Sequence, residues 1–282
     1  MNTRKSNLLL VLVMLALQGF FSGSVLSAEE KSKQAVEASN VEGNNEQFSF
    51  VTCPVYRDTD AGPKSGCWLG LERESGNQFD ITGALTKPFS DRAVLVEGVS
   101  ISSGSEMCGA TVLEPIRVSV LLDETCPPRI IPAENFPGRK FTLPLKRMQP
   151  NSSPRVLPSP PFETTQFDIL FNFNSDFLNY QYSEVILEEV SLLIKAAKPK
   201  KVVITGAAAT EVYLVDGREF KEPQDLARRR AEMVRLALTR LGVPAGILSV
   251  KTDLSPVAIA HYQGGLAEET KRRVLIELVI PE

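Results

Sequence analysis

The chain has 282 residues, of which 43% are hydrophobic and 23% are charged, and its net charge is −3. This composition is ordinary for a globular protein, and the length suits two modest domains. The mild acidity argues against a nucleic-acid binder, because such a protein normally carries a basic excess over its contact face.

The first 28 residues are expected to be an export signal. Arg4 and Lys5 precede an unbroken apolar run at residues 8–17, and small residues follow up to Ala28. The apolar run is about half of what spans a bilayer, which favours cleavage near Ala28 over a retained anchor. Cleavage would change the net charge from −3 to −5, because Arg4 and Lys5 are the only charged side chains removed. We therefore expect an exported protein.

Two breaks in composition divide the remaining chain. Residues 29–46 are rich in Glu, Lys, Ser and Asn, and they cannot bury enough apolar surface to offset chain entropy, so they are predicted to be a flexible tether. Residues 149–162 contain five prolines among Asn and Ser, a pattern typical of an extended spacer. The predicted domains are therefore residues 47–148 and 163–282.

The first domain is predicted to be all-β. Short β-prone runs are separated by clusters of Gly, Pro, Asn, Asp and Ser. These runs are residues 48–52, 67–71, 78–81, 93–99, 116–121 and 139–143. Residues 93–98 and 112–118 resemble strands of an OB-type barrel, so the expected fold is an OB-like barrel or, alternatively, a β-sandwich.

The four cysteines all belong to this domain: Cys53, Cys67, Cys108 and Cys126. An even number of cysteines in an exported chain favours two disulfides. Three pairings are possible, and the sequence-local one, Cys53 with Cys67 and Cys108 with Cys126, is slightly favoured. Zinc is the rival interpretation, but its ligands usually come in C-x-x-C pairs, which are absent here. We expect neither a metal nor a cofactor.

The second domain alternates between strands and helices. The predicted strands are residues 167–173, 201–205, 249–252 and 273–280, and the predicted helices run from Ser183 to Pro199 and over residues 225–241. The order βαβαββ predicts one sheet with helices packed on one face. The whole protein is therefore assigned to the α+β class.

Four motifs in this domain resemble those of the OmpA-like C-terminal domain family. They are residues 169–175 (ILFNFNS, where the family often has Asp at 172 and 174), 203–206 (VITG), 226–231 (LARRRA) and 271–274 (KRRV). The likeness covers about 120 residues, from roughly residue 162 onward. Members of the family hold peptidoglycan in the periplasm. The resemblance therefore implies a βαβαββ fold, a periplasmic location, association with the outer membrane, and peptidoglycan as a partner.

The resemblance also implies a binding site. In the family, an Asp after the second strand takes the ammonium of diaminopimelate in the peptide stem, and an Arg on the next helix takes its carboxylate. Arg230 matches the Arg, whereas the Asp position falls on Ala209. The candidate peptidoglycan-binding residues are Arg230, Ala207, Ala208, Ala209, Thr210 and Arg273.

The segment between Gly206 and Arg230 is about six residues longer than the family pattern. It carries four acidic residues, Glu211, Asp216, Glu219 and Glu222. One of these carboxylates is a candidate to reach back toward Arg230 and replace the missing Asp.

Two functions fit these observations. The first is a non-enzymatic envelope protein that associates with peptidoglycan or the outer-membrane region and meets other envelope proteins. The alternative is a structural or interaction subunit of an envelope assembly, of secretion or conjugation type, with a degenerate, non-binding site. An enzyme is not expected, since the chain has one His and lacks the G-x-S-x-G, H-E-x-x-H and Walker A motifs.

Overall fold

The computed structural model describes residues 46–62, 65–101, 106–138, 154–260, 262 and 266–280. The predicted export signal, almost all of the tether, the strand at 139–143 and the first part of the Pro-rich spacer lie outside these residues. No helix in the described part is long and apolar enough to cross a bilayer.

An eight-stranded sheet occupies the N-terminal part of the described chain. Its strands are β1 (Gln47–Thr52), β2 (Val55–Arg57), β3 (Cys67–Leu71), β4 (Gln78–Asp80), β5 (Arg92–Ser100), β6 (Glu106–Met107), β7 (Ala110–Thr125) and β8 (Ile130–Ile131). They are hydrogen-bonded in the order β1-β5-β7-β4-β3-β2-β8, and β6 pairs with β7. The all-β expectation holds for these residues, and β2, β6 and β8 are strands that the sequence patterns missed.

The expected OB-like barrel is not confirmed. In the described residues the strands follow an open path, with β1 at one end and β8 at the other. The long strand β7 joins the two halves of the sheet, since it pairs antiparallel with β5 and parallel with β4.

Strand β5 is covered on both faces. Val94 and Val96 pack into the core of the N-terminal sheet. Ala93 and Leu95 point to the opposite face, where they join a second apolar cluster that includes Val215 from the C-terminal part of the chain. A continuous apolar run is typical of a strand covered on both faces. The two parts of the chain therefore share a buried interface along β5.

The C-terminal part forms a four-stranded sheet, a small hairpin and two helices. The strands of the sheet are β9 (Thr165–Leu170), β10 (Lys201–Ala207), β13 (Leu248–Asp253) and β14 (Arg273–Val279), and those of the hairpin are β11 (Tyr213–Val215) and β12 (Arg218–Phe220). The helices are α1 (Tyr180–Ala197) and α2 (Asp225–Arg240). The sheet order is β13-β10-β14-β9, with only β10 and β13 parallel. The predicted βαβαββ order is present, and the β11–β12 hairpin is an addition to it.

Both helices cover the same face of the C-terminal sheet. The shared core includes residues from α1, α2 and the strands, among them Leu187, Val190, Ile194, Ala231, Val234, Leu238, Val202, Ile204, Val274 and Ile276. Helix α2 lies very close to β10 at Gly206. A Cβ atom at this position would be only 1.9 Å from the carbonyl oxygen of Ala227. This close approach brings the first turns of α2 against the end of β10.

Candidate functional site

Arg230 lies on the buried face of α2, with 0% of its surface exposed. Its Nε donates to the carbonyl of Ser175 at 2.8 Å, Nη1 donates to the carbonyl of Ala207 at 2.9 Å, and Nη2 donates to the carbonyl of Asn172 at 3.1 Å. The other two bonds go to Glu222, from Nη1 to Oε2 at 2.8 Å and from Nη2 to Oε1 at 2.6 Å. A guanidinium has five N–H groups, so all of them have partners within the chain.

Glu222 is the acid of the longer segment that reaches Arg230, and only 3% of its surface is exposed. Besides the two bonds from Arg230, its Oε1 accepts the backbone N–H of Asn174 at 2.8 Å and its Oε2 accepts that of Ala209 at 2.9 Å. The backbone N–H of Glu222 in turn donates to the carbonyl of Ala209 at 2.8 Å. The carboxylate therefore has two N–H donors on each oxygen.

The electrostatics of this pair follow from its burial. Burial lowers the pKa of Arg230, and the hydrogen bonds and charge of Glu222 oppose that shift. An arginine remains a cation at physiological pH even so. The pair is thus a fully buried, bidentate ion pair with no exposed edge.

The other candidate residues near the end of β10 are buried or engaged. Ala207, Ala208 and Ala209 are 2%, 0% and 4% exposed. The hydroxyl of Thr210 donates to the carbonyl of Leu254 at 2.6 Å. The backbones of Ala207 and Ala209 contact the Arg230–Glu222 pair, whereas Thr210 is bonded to the segment after β13. Glu222 occupies the space between Ala209 and Arg230.

Arg273 does not join this cluster of contacts. Its Nη1 donates to the carbonyl of Thr270 at 2.6 Å, and its Nε lies 3.5 Å from Oδ1 of Asp168. Burial raises the pKa of Asp168, and the charge of Arg273 opposes that shift. Arg273 is therefore engaged with β9 and the turn before β14.

The β11–β12 hairpin positions Glu222. Its turn consists of Asp216 and Gly217, with φ angles of 51° and 71°, as in the two-residue turns that Asp-Gly favours. The Asp-Gly dipeptide between two β-prone runs was the sequence signal for this hairpin, and it was missed. Glu222 follows β12 after one residue, so the hairpin sets where its carboxylate lies.

The hairpin packs on the N-terminal sheet. Val215 and Phe220 join the cluster formed with Val51 and Leu95. The carboxylate of Asp216 accepts the backbone N–H of Val51 at 2.7 Å, on the free edge of β1. The element that closes the candidate site is therefore held by a different part of the chain.

A second buried ion pair crosses the same interface. Arg272 donates from Nη1 to Oε1 of Glu97 at 3.1 Å and from Nη2 to Oε2 at 2.5 Å. The two residues are 0% and 2% exposed. Burial alone would lower the pKa of Arg272, but the charge and hydrogen bonds of Glu97, together with the nearby Tyr213 and Glu222, outweigh it and the pKa lies above its ordinary value. Sequence reasoning missed this pair because Glu97 is 175 positions away from Arg272.

The cysteines form two disulfides, Cys53–Cys126 and Cys67–Cys108. The sequence-local pairing was wrong. The order of the strands in the sheet explains the observed pairing, because β5 lies between β1 and β7. Cys53 follows β1 and Cys126 follows β7, and the ends of both strands pair with the start of β5. Asp80 lies near Cys67 and Cys108 in an arrangement that could hold a metal ion, but the two sulfurs are bonded to each other and offer no thiolate.

Two of the other arginines of α2, Arg229 and Arg235, pair with acids. Arg229 lies 3.3 Å from Asp225 and 3.6 Å from Asp176, and Arg235 lies 2.7 Å from Glu232. This interleaving is typical of a solvated helix face.

No protein-family model matches the chain, and no curated protein matches it. Solved structures similar to it include OmpA-like domains. The OmpA-like domain of FopA1 from Francisella tularensis is 18% identical, covering 42% of this chain and 73% of that one, with a TM-score of 0.32. The peptidoglycan-associated lipoprotein from Burkholderia pseudomallei is 24% identical over 39% and 88% of the two chains, with a TM-score of 0.30. The cell wall anchor of the T6SS from Pseudomonas aeruginosa is 19% identical over 42% and 82%, with a TM-score of 0.33.

Proposed function

We propose that this protein is a non-enzymatic, exported component of the cell envelope whose OmpA-like part acts as a structural or interaction module. The four sequence motifs and the βαβαββ order support assignment to the OmpA-like class. The apolar N-terminal segment supports export to the periplasm. Association with the outer membrane and with other envelope proteins belongs to the same proposal.

The contacts of the Arg230–Glu222 pair distinguish between the two candidate functions, wall binding and a structural role. In the site that the family resemblance implies, the Arg must offer its N–H groups to a ligand carboxylate, and a nearby Asp must accept the ligand ammonium. Here the N–H groups of Arg230 are all used within the chain, and the Asp position is Ala209. Glu222 cannot serve as the missing acid, because both of its oxygens already accept two N–H bonds. The geometry therefore favours an interaction module over a peptidoglycan-binding one.

Cosedimentation with insoluble peptidoglycan tests this choice. The chain from residue 29 onward should remain in the supernatant, as should the Arg230→Gln variant, while the Burkholderia peptidoglycan-associated lipoprotein serves as the positive control. Sedimentation of the unmodified chain that Arg230→Gln abolishes would show that the site opens and binds the wall. In-cell crosslinking should recover protein neighbours, and recovery of wall fragments alone would contradict the proposed role.

A further inference from the structure

Hydrogen-bond donors surround the Glu222 carboxylate in the way that a protein surrounds a bound carboxylate ligand. Four N–H groups converge on its two oxygens at 2.6–2.9 Å, two from Arg230 and one each from Asn174 and Ala209. Charge-assisted, bidentate hydrogen bonds of this kind are the usual means by which proteins hold carboxylates.

The donors of this site belong to elements other than the one that supplies Glu222. Asn174 lies in the turn after β9, with a φ of 52°, Ala209 follows β10, and Arg230 lies on α2. Arg230 is further fixed by its bonds to the carbonyls of Ser175 and Ala207. The position of Arg230, which supplies two of the four donors, is therefore set in part by contacts that do not involve the carboxylate.

Glu222 is likewise positioned by contacts outside the site. The hairpin before it is anchored on the N-terminal sheet through Val215, Phe220 and the bond from Val51 to Asp216. An intramolecular carboxylate on such an anchored segment has a high effective concentration, so it excludes a free competitor.

We propose that the N–H groups of Asn174, Ala209 and Arg230 form a carboxylate-binding site that the chain itself occupies with Glu222. The ligand class is a monocarboxylate group, whether a free acid or the carboxylate of an amino acid or peptide. This inference rests on the proposed function, since it explains why the OmpA-like part would not take a ligand from outside.

Chemical rescue tests the site. Glu222→Ala removes a CH₂–CO₂⁻ group, which is the size of acetate. The thermal unfolding midpoint of Glu222→Ala should rise as sodium acetate replaces sodium chloride at constant ionic strength, by about 2–4 °C once the site is largely filled. Formate should be less effective, and trimethylacetate, which is too bulky for the vacated space, should have no effect.

Three controls isolate the site. The unmodified chain and Glu222→Gln keep the space filled, so acetate and chloride should give the same midpoint. Glu222→Ala combined with Arg230→Met has the space but not the cation, and it should not respond to acetate either. If Glu222→Ala folds only in acetate, the proposal is supported. If it unfolds at the same temperature in every salt, remains unfolded in all of them, or responds to acetate without Arg230, the proposal is wrong. This result is separate from wall cosedimentation, which is measured on the unmodified chain.

Discussion

At the scale of single residues, the central feature is a charge in the middle of a buried helix face. Arg230 lies four positions after Leu226 and four before Val234, both 0% exposed. A cation at such a position needs a bidentate partner and further acceptors, because an unpaired buried charge is very costly. Glu222 and three backbone carbonyls meet that need.

Removing both members of the pair should therefore cost much less than the two single removals added together. Glu222→Leu or Arg230→Met alone should lower the free energy of unfolding by about 3–5 kcal/mol, since each leaves the other charge buried and unpaired. The double variant should lose much less than the sum of the two. Urea unfolding of the four proteins measures this difference. Additive losses would show that the two charges do not depend on each other.

Asp168 gives a pH-dependent prediction. Its pKa is raised by burial from an ordinary value of 3.8, so its protonated form favours folding and its ionisation reduces stability as the pH rises through the folded-state pKa. Asp168→Asn should therefore raise the thermal midpoint relative to the unmodified chain at neutral pH. The difference should disappear as the pH falls below about 3.8. A gain that is independent of pH would contradict this assignment.

At the scale of elements, the contact between α2 and β10 determines where Arg230 lies. Gly206→Ala would place a Cβ atom 1.9 Å from the Ala227 carbonyl oxygen, so the helix would have to move. We expect a loss of about 1–3 kcal/mol in unfolding free energy, as for other overpacked sites. Gly246→Ala is the matched control, because its Cβ atom would meet nothing within 4 Å. Equal stability of the two variants in urea would show that the close approach is not required.

Element types were largely predictable from the sequence, and the closure of the site was not. Helix α2 was expected from its periodicity, but not every apolar residue of that periodic pattern faces the core: Met233 and Leu241 are 38% and 44% exposed. Val234 and Leu238 are buried instead, each at 0%. The stripe that includes Leu226 therefore passes through Arg230, which periodicity alone treats as a surface residue.

The pairings across the chain could not be predicted because they depend on tertiary structure. The longer segment before α2 and its four acids were visible in the sequence, but choosing Glu222 among them requires knowing where the β11–β12 hairpin docks. The disulfides show the same limit: spacing favoured Cys53 with Cys67, whereas the strand order places Cys53 beside Cys126. Local patterns indicate elements, and nonlocal packing decides their partners.

At the scale of the whole molecule, the two sheets belong to one unit, since Asn44–Glu282 forms a single compact body. Glu97 and Arg272 join the sheets through a buried pair, and Phe173 donates its backbone N–H to Ser119 Oγ at 2.9 Å. Separation of the sheets would leave Arg272 without its acid and would expose the cluster around Leu95. The two parts should therefore unfold together.

Two signals report on the two parts separately. Trp68, the only tryptophan, lies on β3 of the N-terminal sheet, and both described helices lie in the C-terminal part. Tryptophan emission and far-UV circular dichroism should give the same urea midpoint. Glu97→Ala should lower both midpoints together, whereas Glu124→Ala, which removes the exposed partner of Arg218, should change them little. Two separated transitions in the unmodified chain would show that the parts fold independently.

The most direct test of the closed site is NMR of the Arg230 guanidinium, assigned by comparison with Arg230→Lys. In the unmodified chain its N–H protons should be resolved, protected from exchange with water, and unshifted when soluble peptidoglycan fragments are added. Fast exchange of these protons, or their displacement on adding the fragments, would show that Glu222 does not hold the site closed.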